Sequence, residues 1–307
     1  MTKSARHEGE QAVQRRAGEG APEWGSPMFG PEIPAGFGHF MAEQRLAAIG
    51  AADDDGAIWA TVLTGESGFI ETLDDRTVVL HAAPPSGDPL HRILDAERDL
   101  GMVVMSPQTR RRVRVNGRAV RDGDRVVVRT DQVLGNCPKY LQTRTVAEVL
   151  SRQGESAVRT GAALDAEAQR WITDADTFFI ASWSPEHGAD ASHRGGRPGF
   201  VTVAGPNRLV WPDYTGNSFY MTLGNLELNP RCGLVFLDWA RGHTLQLTGT
   251  GRIDWTRRHA EAVPGALRLV EFDVERVVRV DHASALRWEL HAYSSNNPPT
   301  TSSQGRT

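Results

Sequence analysis

Residues 192–196 read Ser-His-Arg-Gly-Gly, a donor set for an oxyanion. The run offers a hydroxyl, an imidazole, a guanidinium and two unobstructed backbone amides. Forked guanidinium donors beside glycine amides suit a phosphate carrying close to two negative charges. Asn217 and Ser218 stand at the expected start of a helix, where N–H groups point outward and the macrodipole favours an anion. The same residues would also serve a tight turn and an ordinary N-cap. A third group lies far upstream, in the run Arg110 to Arg114. A strand there points Arg110, Arg112 and Arg114 one way and Arg111, Val113 and Val115 the other. Like charges on one strand face repel unless an anion or solvent relieves them. Lys139, next to Tyr140, is one of two lysines (Lys3 is the other) among 34 basic residues. It reads as an anion contact or as a plain surface lysine.

Other chemistry-bearing residues are weaker. Cys137 has no histidine in a partnering position and reads as a small buried residue. Cys137 and Cys232, the only cysteines, are too far apart in sequence for a disulfide framework or a zinc site, which fits a reducing compartment. His7 with Glu8 and Glu10 is an incomplete metal set in a flexible arm, so no metal site is expected. Trp59, Trp183, Trp211, Trp239 and Trp288 read as core residues, any of which could stack on a ring.

The elements that must position these groups are mostly strands. Of the 307 residues, 39% are hydrophobic and 23% charged, enough apolar material for a sizeable core, and the net charge is −4. That balance argues against a nucleic-acid binder. The sequence has no long apolar run for a membrane helix, and Arg15-Arg16 is not followed by the apolar region of a signal. A cytoplasmic protein is expected. Strands are predicted at 58–63, 77–82, 100–106, 111–115 and 125–129, and again at 177–183, 199–204, 208–211, 233–237, 244–252 and 267–281. Helices are predicted near 11–16 and at 41–51, 89–97, 140–150, 166–174 and 219–229. TRRRVRVNGRAV (109–120) and HTLQLTGTGRI (243–253) stand at matching places in the two halves. A repeat near 130 residues is too long for a solenoid and points to two copies of one small barrel.

Several segments resemble the FMN-binding split-barrel family of pyridoxamine 5′-phosphate oxidase. WPDYTGNS (211–218) followed by LGNLELNPR (223–231) is similar to the family's strand ending in Tyr-Thr, its phosphate-binding helix and its closing Asn-Pro. SHRGGRPGFV (192–201) stands where the family has its Ser-Arg strand, and RRVRVNG (111–117) resembles its Arg-Gln-Val-Arg-Val-x-Gly strand. GNCPKY (135–140) is similar to a signature of a bacterial flavin-nucleotide-binding subgroup. The resemblance spans roughly 40–290. It implies a mainly β fold with short helices: two split barrels in tandem, related by a pseudo-two-fold axis. An N-terminal arm (1–38) would lie on the body rather than form a core. The first domain (39–150), a linker (151–165), the second domain (166–291) and a disordered tail (292–307) would follow.

By the same resemblance FMN would be held by Ser192, His193, Arg194, Gly195, Gly196, Tyr214, Thr215, Asn217, Ser218 and Thr222. Arg111, Arg112, Arg114, Lys139 and Tyr140 would add to it from the first half, with Arg112 at the family's glutamine position. FAD, haem and deazaflavin are the alternative cofactors. The implied activity is an FMN-dependent oxidoreductase acting on a small molecule, with NAD(P)H as a candidate partner. The alternatives are a non-catalytic flavin- or haem-binding protein and a structural barrel without cofactor. His193 and Tyr214 are the candidate catalytic residues. Two departures stand out: Thr222 replaces a customary lysine, and LRWELH (286–291) lacks the Arg-x-His grip on vitamin B6 phosphate. The mirror-image site has Pro84-Pro85-Ser86-Gly87 in place of the Tyr-Thr segment and is expected to be degenerate. The chain would act as a fused pseudo-dimer, monomeric or as a homodimer, with no nucleic-acid or membrane partner.

Overall fold

The computed structural model describes residues 7–19, 30–136, 138–150 and 156–300. The arm contains α1 (Glu8–Arg16). The first half runs α2 (Ala35–Ala42), β1 (Leu46–Ala52), β2 (Ile58–Thr64), β3 (Ile70–Asp74), β4 (Thr77–Leu80), α3 (Leu90–Ile93), β5 (Arg98–Ser106), β6 (Arg111–Asp122) and β7 (Arg125–Asn136). Then come β8 (Thr143–Val149) and β9 (Val158–Gly161). The second half runs α4 (Ala166–Asp174), β10 (Thr177–Ser184), β11 (Gly188–Gly195), β12 (Thr202–Gly205), β13 (Arg208–Asp213), α5 (Met221–Leu228), β14 (Arg231–Leu237), β15 (Thr244–Asp254), α6 (Arg257–Glu261), β16 (Arg268–Val280) and β17 (Leu286–Ala292).

The two halves repeat one topology. The first sheet has the order β2-β1-β5-β6-β7-β4-β3, and the second has β11-β10-β14-β15-β16-β13-β12. Matching strands by rank gives the same path in both, with every pairing antiparallel. The VNG and LTG segments coincide as bulges, at Asn116/Gly117 and Thr248/Gly249. At each, a Cβ on the glycine would lie 2.0 Å from a carbonyl oxygen of the neighbouring strand (Arg129 or Asp273), so no other residue fits.

Both paths are open, and the opposite half covers one end of each. The edge strand β2 packs on β14 and β15, and β11 packs on β5 and β6. That contact protects edges which would otherwise invite foreign strands. It also builds a third core between the two domain cores, from Leu46, Ala48, Val62 and Val103 on one side and Phe179, Ala181, Ala191 and Val235 on the other. Gly50 faces Ala181 across this junction so closely that a Cβ on Gly50 would lie 2.1 Å from that of Ala181.

Several expectations are corrected. Residues 41–51 are not a helix but the end of α2 followed by β1, which pairs with β2 and β5 at once. Buried on both faces, such a strand shows no alternation and reads as an apolar helix. Residues 140–150 form β8, which pairs with β17, and its Thr143, Thr145, Val146 and Val149 suit a strand. The insert at 89–97 contracts to α3. The arm does more than lie on the body: α1 packs on α5, with Gly9 against the Gly224 carbonyl, and Val13 is fully buried in the second core. Residues 293–300 of the expected tail are described, and Ser294 and Asn297 both donate to Gln142 Oε1 at 2.9 Å.

Candidate functional site

A cleft of about 840 Å³, its open mouth included, lies where the halves meet. The first half lines it with Arg112 and Arg114 from β6, Asn136 at the end of β7, and Lys139 and Tyr140. Ser192, His193, Arg194 and Gly195 come from β11, Tyr214, Asn217 and Ser218 from the segment that leads into α5, and Thr222 from its first turn. Twelve of the fifteen expected cofactor contacts are therefore brought together. Period-two alternation sends Arg111 elsewhere: it sits over the Phe40 ring at 4.7 Å. Gly196 and Thr215 also stand outside the lining. The Gly196 N–H donates to the Asp176 carbonyl at 3.0 Å, and the Thr215 carbonyl accepts the Tyr140 hydroxyl at 3.0 Å. Cys137 lies outside the described residues.

The floor of the cleft is a polar knot with one acceptor used twice. Arg114 donates through Nη2 to Ser192 Oγ at 2.8 Å, and Arg194 donates through Nη1 to the same oxygen at 2.7 Å. Both lone pairs of the hydroxyl are thereby taken, so its own proton is available to a further acceptor. Behind it stands Asp190, missed in the sequence reading, 2% exposed. Its carboxylate lies 3.1 Å from Arg114 Nη1 and accepts from Thr222 Oγ1 at 2.9 Å and Asn116 Nδ2 at 3.3 Å. Asp190 is two residues before Ser192, on the same strand face, which is the signal that could have found it. Thr222 thus spends its hydroxyl on this carboxylate.

His193 is 4% exposed, and its Nδ1 accepts from Arg112 Nη1 at 2.9 Å. That bond fixes the tautomer with the proton on Nε2, an atom with no hydrogen-bond partner among the described residues. Burial, and then the neighbouring guanidinium groups of Arg112, Arg194 and Arg144, hold the imidazole pKa well below its ordinary value. His193 is therefore a neutral donor. Gly195 lies beneath it: a Cβ there would come 2.8 Å from the ring and 2.1 Å from the Tyr140 carbonyl.

The walls hold three residues in the left-handed region, Tyr140 (φ 63°), Ser218 (φ 59°) and Tyr220 (φ 57°). Non-glycine residues occupy it at a cost of order 1–3 kcal/mol, met by fixed surroundings. Gln14 of α1 donates to the Ser218 carbonyl at 2.9 Å, and Arg268 donates to the Tyr220 hydroxyl at 3.1 Å. Asn217 Nδ2 donates to Asn136 Oδ1 at 3.2 Å, tying the two halves. Tyr140 and Tyr214 pack at 5.1 Å between ring centres, and burial pushes the Tyr214 hydroxyl up to about 12. None of the five tryptophans weighed in the sequence lines the cleft. Asn136, Asp213, Gly216, Tyr220 and Met221 do, and were missed although most of them neighbour a chosen residue.

Residues 164–280 match the family model described as pyridoxamine 5′-phosphate oxidase. The matched region lies in the second half of the chain and is similar to that family. The cleft joins residues of this matched region to others that lie outside it. A comparison with curated proteins finds no match. Among solved structures the chain is similar to HupZ from Group A Streptococcus, at 16% identity over 37% of this chain and 92% of that one, with a TM-score of 0.31. An FAD-binding protein from Mesorhizobium loti follows at 14% identity over 40% and 97%, with a TM-score of 0.26. An FMN-binding protein from Syntrophomonas wolfei matches at 8% identity over 37% and 84%, with a TM-score of 0.28.

Away from the cleft, His7 is a buried residue and not part of a loose arm. Its Nδ1 accepts from the Glu10 N–H at 3.4 Å as the N-cap of α1. His7, Glu8 and His187 place potential ligand atoms within 4.8 Å of one another, but the imidazoles stack at 4.5 Å with planes 11° apart. Parallel rings do not converge their lone pairs on one ion. Among the described residues no helix is long and apolar enough to cross a membrane.

Proposed function

We propose that the cleft holds FMN and that the chain is a flavin-dependent oxidoreductase acting on a small molecule. One observation carries this reading: Arg114 and Arg194 from different halves converge on Ser192 Oγ and leave two buried donors, the Ser192 hydroxyl proton and His193 Nε2, without an acceptor among the described residues. Such a floor fits a dianionic phosphate ester. Ser192, Arg114 and Arg194 would hold the phosphate, supported by Asn217 and Lys139. Arg112 and His193 would serve the ring. When bound, a flavin supplies two-electron transfer, with oxygen or a nicotinamide as the partner.

The protein's own contribution is binding, orientation and field. His193 cannot take a proton at Nδ1 while Arg112 donates there, and Tyr214 stays protonated throughout the physiological range. Both are donors and neither is a general base. That supports a second reading, a flavin-binding module without catalysis. The Nε2–H tautomer of His193 also removes the lone pair that a haem iron would need there. Because the junction between halves is internal, a monomer suffices for a complete site.

FMN is expected to bind more tightly than FAD, since the donors form one terminal phosphate site and the chain has no Gly-x-Gly-x-x-Gly run for a pyrophosphate. Fluorescence titration of both flavins checks this; equal or tighter binding of FAD would contradict it. Reduction of the bound flavin by NADH or NADPH, followed by steady turnover with an acceptor, would separate the enzyme from the carrier.

A further inference from the structure

Strand register relates the cleft residues of β6 and β11 to counterparts in the other half. Gly101 and Gly233 pair with Gly50 and Ala181, the residues that face each other at the junction. Counting from them, Ser192 corresponds to Thr61, His193 to Val62 and Arg194 to Leu63. Arg112 corresponds to Thr244 and Arg114 to Gln246. The mirror position has thus lost its three guanidinium groups and its imidazole, yet it keeps a hydroxyl on the edge strand and a long donor reaching across from the other half.

Those donors have an acceptor already. The Asp88 carboxylate, 3% exposed, accepts through Oδ2 from the Thr61 hydroxyl and from Gln246 Nε2 at 2.8 Å. Its Oδ1 accepts from the Leu90 N–H at 2.8 Å. Thr61 gives its proton to a side chain of this chain, whereas Ser192, its counterpart, has its lone pairs filled and gives its proton to none of the described residues. Burial pushes the Asp88 carboxyl up to about 6, so it is ionised at pH 7.5. Gln246 Nε2 also donates to the Ala60 carbonyl at 2.9 Å, which pins it at this position.

We infer that the first half keeps the anion subsite in closed form, with the Asp88 carboxylate as its permanent occupant, so that the chain binds one flavin and not two. The flavin count rests on the proposed function; the closed subsite does not. Asp88→Ala should leave the Thr61 hydroxyl, the Leu90 N–H and one of the two Gln246 Nε2 hydrogens buried without their acceptor and lower Tm by about 5–10 °C. Formate or acetate at tens of millimolar, pH 7.5, should restore several degrees to flavin-free Asp88→Ala. Sodium chloride of equal ionic strength should not, and neither salt should move the wild type as far. Equal shifts in both proteins, or none with formate, would overturn the subsite.

Should Asp88→Ala fail to fold, Asp88→Asn, which keeps one acceptor, takes its place with a smaller fall and no response to formate. The wild type supplies the second arm: titration with FMN should saturate at one flavin per chain, and two per chain would overturn the inference. A wild type that binds no FMN overturns the flavin reading, while the formate arm, run without flavin, still decides the subsite.

Discussion

Arg114→Ala is expected to cost both flavin binding and the fold, while Arg194→Ala costs binding alone. Arg114 is 8% exposed and is the guanidinium facing Asp190. Removing one partner of such a buried pair leaves an uncompensated charge, with a penalty of about 3–5 kcal/mol in folding stability. It also removes a charged donor from Ser192, worth about 1.5–3 kcal/mol in FMN affinity, or roughly 10- to 150-fold. Arg194 spends its hydrogen bonds on Ser192 Oγ and the His193 carbonyl. Arg194→Ala should therefore weaken FMN by the same 10- to 150-fold while its denaturation midpoint stays near that of the wild type. Denaturant melts and flavin titrations on both variants check this. Unchanged FMN affinity in folded Arg194→Ala would mean that the phosphate sits elsewhere.

The second large effect is on redox potential. Arg112 reaches from the first half to His193 of the second, and its guanidinium faces the same cleft. A positive charge beside a flavin ring stabilises the negative charge that reduction places there and so raises the midpoint potential. Arg112→Gln keeps a donor for His193 Nδ1 but removes the charge. Binding should survive, and the potential should fall. Taking the lost interaction as about 1–2 kcal/mol at the dielectric of a partly buried site, the fall is roughly 20–40 mV for two electrons. Spectroelectrochemical titration of both proteins at one salt concentration reads it, since screening alters such fields. An unmoved potential with intact binding would place Arg112 away from the ring.

The duplicated topology and most of the cleft were legible in the sequence because their signals are local. Alternation along 110–114 puts Arg112 and Arg114 on one face and Arg111 on the other, although all three were expected at the cofactor, and the glycines of VNG and LTG mark equivalent bulges. What was not legible depends on partners far along the chain. β1 looks helical because the second half buries its outer face, and β8 is a strand only because β17, some 140 residues away, pairs with it. Asp190 and Asp88 escaped notice for a related reason. A carboxylate reveals its role by what surrounds it, and the donors that surround these two come from distant segments.

The most direct measurement is an absorption spectrum of the full chain after incubation with excess FMN and removal of unbound flavin by gel filtration. The convergence of Arg112, Arg114, Ser192, His193 and Arg194 on one cleft predicts retained flavin bands, perturbed from those of free FMN, with one flavin per chain. A folded protein that emerges colourless, with all FMN in the small-molecule fraction, would contradict a flavin site between the two halves.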